Sequence, residues 1–302
     1  ETQVHIDIAY DVDDVSTLGN LQQRIKTLFI STSSDIFIQG RVMDFAALEQ
    51  YSKPTQPHYI VLKENRGGSR VKNCRTGVSE EIPAQLSKTF NSVGVGDVFD
   101  AVFVAYATSE GIDAAYRASF VSAAYAETTL PDLFATYAER VCLLSSDELK
   151  GLDGTSLPWE DRRHFQIYLA APDFSNVKHE GIASAIDSMK YHNFEVRRPI
   201  IENGELSASA EMPQTGEAFF ADISLLDACH VVCAIPIGRD PGTLVEIGYA
   251  HAKGIPVVVF DPNDECRNTM VICGAQVYSM DWGDCLNGLF EVVSKLRRGQ
   301  ND

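Results

Sequence analysis

The run His230–Phe260, "HVVCAIPIGRDPGTLVEIGYAHAKGIPVVVF", constrains the fold more than any other stretch of the chain. An unbroken apolar segment leads into a turn bearing glycine and proline. Apolar residues at helical spacing follow, and then a second unbroken apolar segment. Strands that are apolar at every position are covered on both faces, as in a parallel sheet crossed by helices. The alternation extends both ways. "FQIYLAA" reads as a buried strand, "EGIASAIDSMKYH" as an amphipathic helix, "FEVRRPI" as a short strand and "GEAFFADISLLDAC" as a helix. "QVYSMDW" reads as a last strand and "CLNGLFEVVSKLRRG" as a closing helix. That order predicts a doubly wound sheet, which binds ligands at the carboxyl ends of its strands. Chemistry is therefore expected in the loops after "IYLAA" and "CAIPI".

The first half alternates too. "LFISTSSDIFI" and "HYIVLKE" read as strands, "DVFDAVFVAYATSEG" and "IDAAYRASFVSAAYAET" as helices. A chain of 302 residues is long for one domain. The polar, glycine-bearing segment Ser145–Arg163, "SSDELKGLDGTSLPWEDRR", has the composition of a linker. Two α/β domains are expected, at residues 1–155 and 156–302. A formal charge of −17 disfavours nucleic-acid backbones and anionic membranes as partners. No apolar run approaches the roughly 18 residues of a membrane span. The seven cysteines lack zinc-site spacing, and most fall in apolar runs. They read as buried free thiols in a reducing, cytoplasmic compartment. The chain opens at Glu1 with no methionine and no signal-like segment, so an upstream portion is expected.

Glu246 is the anomaly in the opening run. Thr243–Glu246 matches a capping box, with Glu246 reaching back to the Thr243 N–H. Asp240-Pro241 caps equally well, with proline at the first helical position. Three features oppose a pure capping role. The loop follows a buried strand at the ligand edge of the sheet. Asp240 and Glu246 can face one cleft from loop and helix. Asp222 lies on the preceding helix, which leads into the same strand. Clustered carboxylates raise one another's pKa and can divide the roles of nucleophile and acid/base, as glycosidic-bond chemistry requires.

"IYLAAPDFS", "FFADISLLDACHVVCAIPI" and "DPGTLVEIGYAHAKGIPVVVF" resemble the nucleoside 2-deoxyribosyltransferase family over roughly residues 164–300. The resemblance implies Glu246 as the nucleophile at the anomeric carbon and Asp222 as the acid that protonates the leaving base. It implies Tyr168 beside the nucleophile and Asp240 on the sugar hydroxyls. Gly242 and Phe174 join the substrate-binding set. "RNTM" matches a segment that a neighbouring subunit inserts, so Asn268 and Met270 are expected to act in trans in a homo-oligomer. In related nucleoside-monophosphate hydrolases a serine that contacts the 5′-phosphate resembles Asp240 in position. An aspartate there repels phosphate and suits a free 5′-hydroxyl. No metal and no organic cofactor is called for. The chain departs from the pattern at His230, read as a packed histidine at a strand start. It departs also at Asp173, which leaves base preference open. Asp227 reads as exposed, Tyr249 as core, and Cys229 and Cys233 as buried thiols rather than metal ligands.

In the first half, "NSVGVGDVFDAVFVAYATSEG" resembles the C-terminal signature of the ribokinase-like sugar kinases. Gly94 and Gly96 would let backbone N–H groups close on an anion at a helix start. The resemblance implies Asp97 as a base toward a sugar hydroxyl. "VLKENRGGSRV" looks like that family's strand and glycine turn near the nucleotide. Asn91 replaces the motif's first aspartate, and "STSSDIF" stands where the family has its magnesium-organising Asn-x-x-Glu. The sugar-binding half is not in this chain, which favours a truncated or degenerate kinase fold over an active kinase. Four functions follow. The leading one is sugar transfer between bases by the second domain. The others are N-glycoside hydrolysis, including a nucleotide-depleting form under control of the kinase-like half, a non-catalytic nucleoside sensor, and a sugar kinase.

Overall fold

The computed structural model describes residues 3–8, 15, 18, 25–175, 180–206 and 211–301. The chain divides into two compact units, Glu1–Glu160 and Asp161–Asp302.

The first unit is built on a sheet of order β1-β2-β3-β4-β5. The strands are β1 (Val4–Ile8), β2 (Ile25–Ser31), β3 (Tyr59–Lys63), β4 (Ser69–Asn73) and β5 (Ser79–Ile82). β1, β2 and β3 run parallel, and β4 and β5 add an antiparallel hairpin. Successive side chains on a strand point to opposite faces. Leu28, Ile30, Ile60 and Leu62 therefore meet the helices α1 (Asp35–Ile38) and α2 (Phe45–Ser52). Phe29 and Val61 meet the other face, under α3 (Val95–Glu110) and α4 (Ala114–Ala126). Helices α5 (Pro131–Leu143) and α6 (Ser146–Lys150) follow, α5 packed on α4.

Two sequence readings are corrected here. "LFISTSSDIFI" is strand only to Ser31. The run of small polar residues ends it, and Asp35–Ile38 turns as a helix. The linker-like segment Ser145–Arg163 is packed rather than open. Ser145 and Glu148 form a reciprocal capping box on α6, Leu149 and Leu157 are fully buried, and Thr155 bridges Ala84. Helix α7 (Trp159–Arg162) closes the segment.

The second unit is all parallel, in the order β10-β9-β8-β6-β7. Its strands are β6 (Gln166–Ala170), β7 (Glu195–Arg197), β8 (Val231–Ala234), β9 (Val257–Phe260) and β10 (Val277–Ser279). Its helices are α8 (Glu180–Tyr191), α9 (Pro199–Glu202), α10 (Met212–Asp227), α11 (Pro241–Lys253), α12 (Thr269–Gly274) and α13 (Trp282–Asn301). Counted within the unit, the strand order is 2-1-3-4-5. That is a doubly wound sheet whose topological switch point lies between β6 and β8. One core binds Tyr168, Val232, Ala234, Val257 and Val259 to α10, α11 and α12. The expected strand "FEVRRPI" stops at Arg197, and Pro199 opens α9, because proline fits the first helical position. Cys229, Cys233, Cys266 and Cys285 are buried, whereas Cys74, Cys142 and Cys273 are exposed. No helix among the described residues is long and apolar enough to cross a membrane.

Candidate active site

Tyr168 is the third residue of β6 and its body is fully buried. Its hydroxyl emerges at the switch point and donates to Glu246 Oε1 at 2.5 Å. Glu246 stands in the second turn of α11, on the face that packs toward β6 and β8. Burial pushes its carboxyl up to about 7, and the charges of Asp222 and Asp240 push the same way. The Tyr168 hydrogen bond opposes them. Burial, and then the charge of Glu246, hold the Tyr168 phenol well above its ordinary range, so it remains a donor.

Asp240 caps α11. Its Oδ2 accepts from the Thr243 N–H at 2.8 Å and from the Thr243 hydroxyl at 2.9 Å. Pro241 occupies the first helical turn and Gly254, at φ 73°, ends the helix. The capping-box reading of Thr243 and Glu246 is thereby corrected: the N–H that Glu246 would have reached is already satisfied by Asp240. A side chain at Gly242 would crowd the cap, since a Cβ there would lie 3.1 Å from Asp240 Oδ2. The loop that carries Asp240 is tied down. The Gly238 N–H donates to Glu265 at 2.7 Å, and Arg239 Nε donates to the Glu265 carbonyl at 2.7 Å.

Asp222 lies in the last third of α10 and is half-buried. Its Oδ1 accepts from Asn203 Nδ2 at 2.8 Å. Tyr168, Asp222, Asp240 and Glu246 thus gather into one acidic cluster at the carboxyl edge of the sheet. Phe174, Asn268 and Met270 are exposed and bond to none of the four among the described residues. Asn268 caps α12 by accepting from the Met270 N–H at 2.9 Å, and Met270 is 78% exposed.

The remaining residues resolve simply. Asp173 pairs with Arg198, with an N···O distance of 2.6 Å. His230 Nδ1 accepts from the Gln166 N–H at 3.1 Å, and its ring meets Phe165 edge-on. Asp227 is exposed, accepting from the Tyr249 hydroxyl at 3.0 Å and pairing with Lys253. Tyr249 lays its ring on the core. Sequence reasoning passed over Asn203 and Arg198. The Asn-Gly pair at 203–204 marks the end of α9, but no local pattern announces bonds to Asp222 and Asp173. Among the described residues no group of His, Cys, Asp and Glu is arranged to hold a metal ion.

In the first unit Gly94, at φ 82°, precedes α3, and Asp97 is exposed in its first turn. A Cβ on Gly96 would lie 3.5 Å from Lys63 Nζ, which pairs with Asp7 at 2.9 Å and Asp100 at 2.8 Å. Burial, offset by Lys63, pushes Asp100 up to about 7.

Among solved structures, a 2-deoxyribosyltransferase from Bacillus psychrosaccharolyticus is 24% identical. The match covers 39% of this chain and 88% of that one, with a TM-score of 0.36. A ribokinase from Giardia lamblia is 17% identical over 50% of this chain and 51% of its own, with a TM-score of 0.37. Phosphofructokinase-2 from Escherichia coli is 10% identical over 46% of this chain and 47% of its own, with a TM-score of 0.37. The chain thus spans about half the length of the sugar kinases it matches. No curated protein matches it significantly. Residues 167–281, the stretch that holds Tyr168, Asp222, Asp240 and Glu246, match the family model described as nucleoside 2-deoxyribosyltransferase.

Proposed function

We propose that the second unit breaks the N-glycosidic bond of (deoxy)nucleosides and transfers the sugar to another base. The observation that carries this reading is the half-buried Glu246 carboxylate, bonded to Tyr168 and faced by Asp222 and Asp240. Tyr168 occupies Oε1, so Oε2 is the attacking oxygen. As Oε2 bonds to C1′, the C1′–N bond breaks and its electron pair goes to the base. Asp222 gives that base a proton. The glycosyl ester on Glu246 is then attacked by a ring nitrogen of a second base, whose proton returns to Asp222. Two displacements on one face retain configuration. Asp240 spends Oδ2 on its cap and offers Oδ1 to a sugar hydroxyl, and its charge favours a free 5′-hydroxyl over a phosphate. Gly242 and Phe174 border the sugar and base.

A second copy is expected to complete the site with Asn268 and Met270. The exposure of Met270, with Phe219 and Phe220 on α10 and Val245 on α11, favours an apolar face between copies. In the first unit, the Lys63 ammonium held by two carboxylates beside Gly96 supports a scaffold rather than an active kinase.

The test is incubation with 2′-deoxynucleosides, with and without a different free base, followed by chromatography, with Glu246→Ala beside the native chain. A new nucleoside appearing only with added base, and absent for Glu246→Ala, is the expected result. Free base and free sugar without an acceptor would instead make the protein an N-glycoside hydrolase. No product from nucleosides or their monophosphates would leave a binding module.

A further inference from the structure

Asp222 has two oxygens, and only one can deliver a proton to a leaving base. Its Oδ1 is taken: Asn203 Nδ2 donates to it at 2.8 Å. Asn203 is on a fixed backbone. It ends α9, and its own N–H donates to the Pro199 carbonyl at 2.7 Å. The residues just before α9 are pinned as well. Arg197 Nε bonds Glu202 at 2.8 Å and its Nη1 bonds Gln166 at 2.5 Å. Arg198 Nε bonds Asp173 at 2.8 Å. The span 197–203 is therefore clamped to β6 and to the loop after it at one end, and to Asp222 on α10 at the other. The arrangement parallels the nucleophile, where Tyr168 occupies Oε1 of Glu246. In each carboxyl a fixed donor takes one oxygen and leaves the other to react.

We infer that Asn203 is a positioning residue for base departure: by donating to Asp222 Oδ1 it makes Oδ2 the oxygen that carries the proton to the leaving base. This rests on the reading of the second unit as a glycosyl-transfer enzyme. When the C1′–N bond breaks, the electron pair moves to the base nitrogen and the proton on Oδ2 passes to the base. Asp222 is then an anion whose charge Asn203 helps to hold. Without Asn203 the carboxyl rotates about its Cβ–Cγ bond, and either oxygen carries the proton. A misdirected proton slows the step that needs it and no other.

The experiment measures base release by the full chain from two nucleosides. One carries an ordinary purine, which needs a proton to leave. The other carries a ring-alkylated, cationic purine, which leaves neutral without one. Asn203→Ala is expected to lower kcat for the first about 10- to 30-fold with little change in KM. The alkylated substrate should stay within about twofold of the native chain. Asn203→Asp removes the donor without changing shape and should lower kcat for the ordinary purine at least as much. In an Asp222→Ala background, Asn203→Ala should add nothing, because the two act as one unit. Equal losses on both substrates would overturn the inference and make Asn203 merely structural. Full activity of Asn203→Ala beside an inactive Glu246→Ala would overturn it alone. No base release by the native chain would overturn the glycosyl-transfer reading and this inference with it.

Discussion

At the scale of single residues, the site turns on a carboxylate held close to neutrality. A carboxylate acts as the proposed nucleophile only when ionised, and burial pushes the Glu246 carboxyl up to about 7. The acid limb of a kcat/KM profile on a deoxynucleoside should therefore rise about tenfold per pH unit up to about 7. Tyr168 favours the ionised form, so Tyr168→Phe removes that help. The acid limb should move to higher pH by roughly one unit, since a hydrogen bond to a charged group is worth about 1.5 kcal/mol or more. An unmoved limb would mean that the phenol does not tune Glu246. The family resemblance sets Tyr168 beside Glu246, but the local pattern of the sequence shows little of this. Glu246 and Asp240 stand out because acids interrupt a buried pattern. Tyr168 and Glu246, however, are 78 positions apart, and only the sheet's crossover brings them together. The Asn203–Asp222 bond spans 19 positions across a loop and carries no periodic signal at all.

At the scale of elements, start and stop signals read truest where backbone chemistry is local. α11 begins after Asp240-Pro241 and ends at Gly254, as cap preferences require. Asp240 caps the helix and is proposed to favour a free 5′-hydroxyl, and substitution separates the two. Asp240→Ala should destabilise the second unit by about 1 kcal/mol through loss of the cap. Asp240→Ser keeps a capping oxygen and should hold stability within a few tenths of that of the native chain. It should also admit 5′-phosphorylated substrates better. Thermal melting and a comparison of nucleosides with their monophosphates test the pair. If Asp240→Ser loses as much stability as Asp240→Ala, the cap is not what Asp240 supplies. Elements were missed where composition outweighed pattern. The Ser145-x-x-Glu148 box announces α6, yet the surrounding glycines and acids read as linker. β5 mixes a serine and two glutamates with one buried isoleucine, so its alternation is faint.

At the scale of the whole molecule, each half keeps its own sheet, and their topologies differ. The first mixes three parallel strands with an antiparallel hairpin, while the second is wholly parallel. The strong strand–helix rhythm of the sequence predicts α/β layers in both halves, because buried parallel strands must be apolar on both faces. The hairpin lies at the edge of the first sheet, where one-sided exposure weakens that signal.

The packed segment before the second unit has a consequence for how this protein meets a protease. Its glycines, acids and Lys150 advertise an easy cleavage site. In the folded chain Leu149 and Leu157 anchor it, Thr155 is bridged to Ala84, and Lys150 is paired with Asp113 at 2.7 Å. A protease needs slack backbone to engage a chain, and the exposed residues 150–153 are held at both ends by buried Leu149 and Thr155. Brief trypsin treatment of the native protein should leave the bond after Lys150 uncut, as mass spectrometry of the fragments would reveal. Rapid cutting there would mean that the two leucines do not hold.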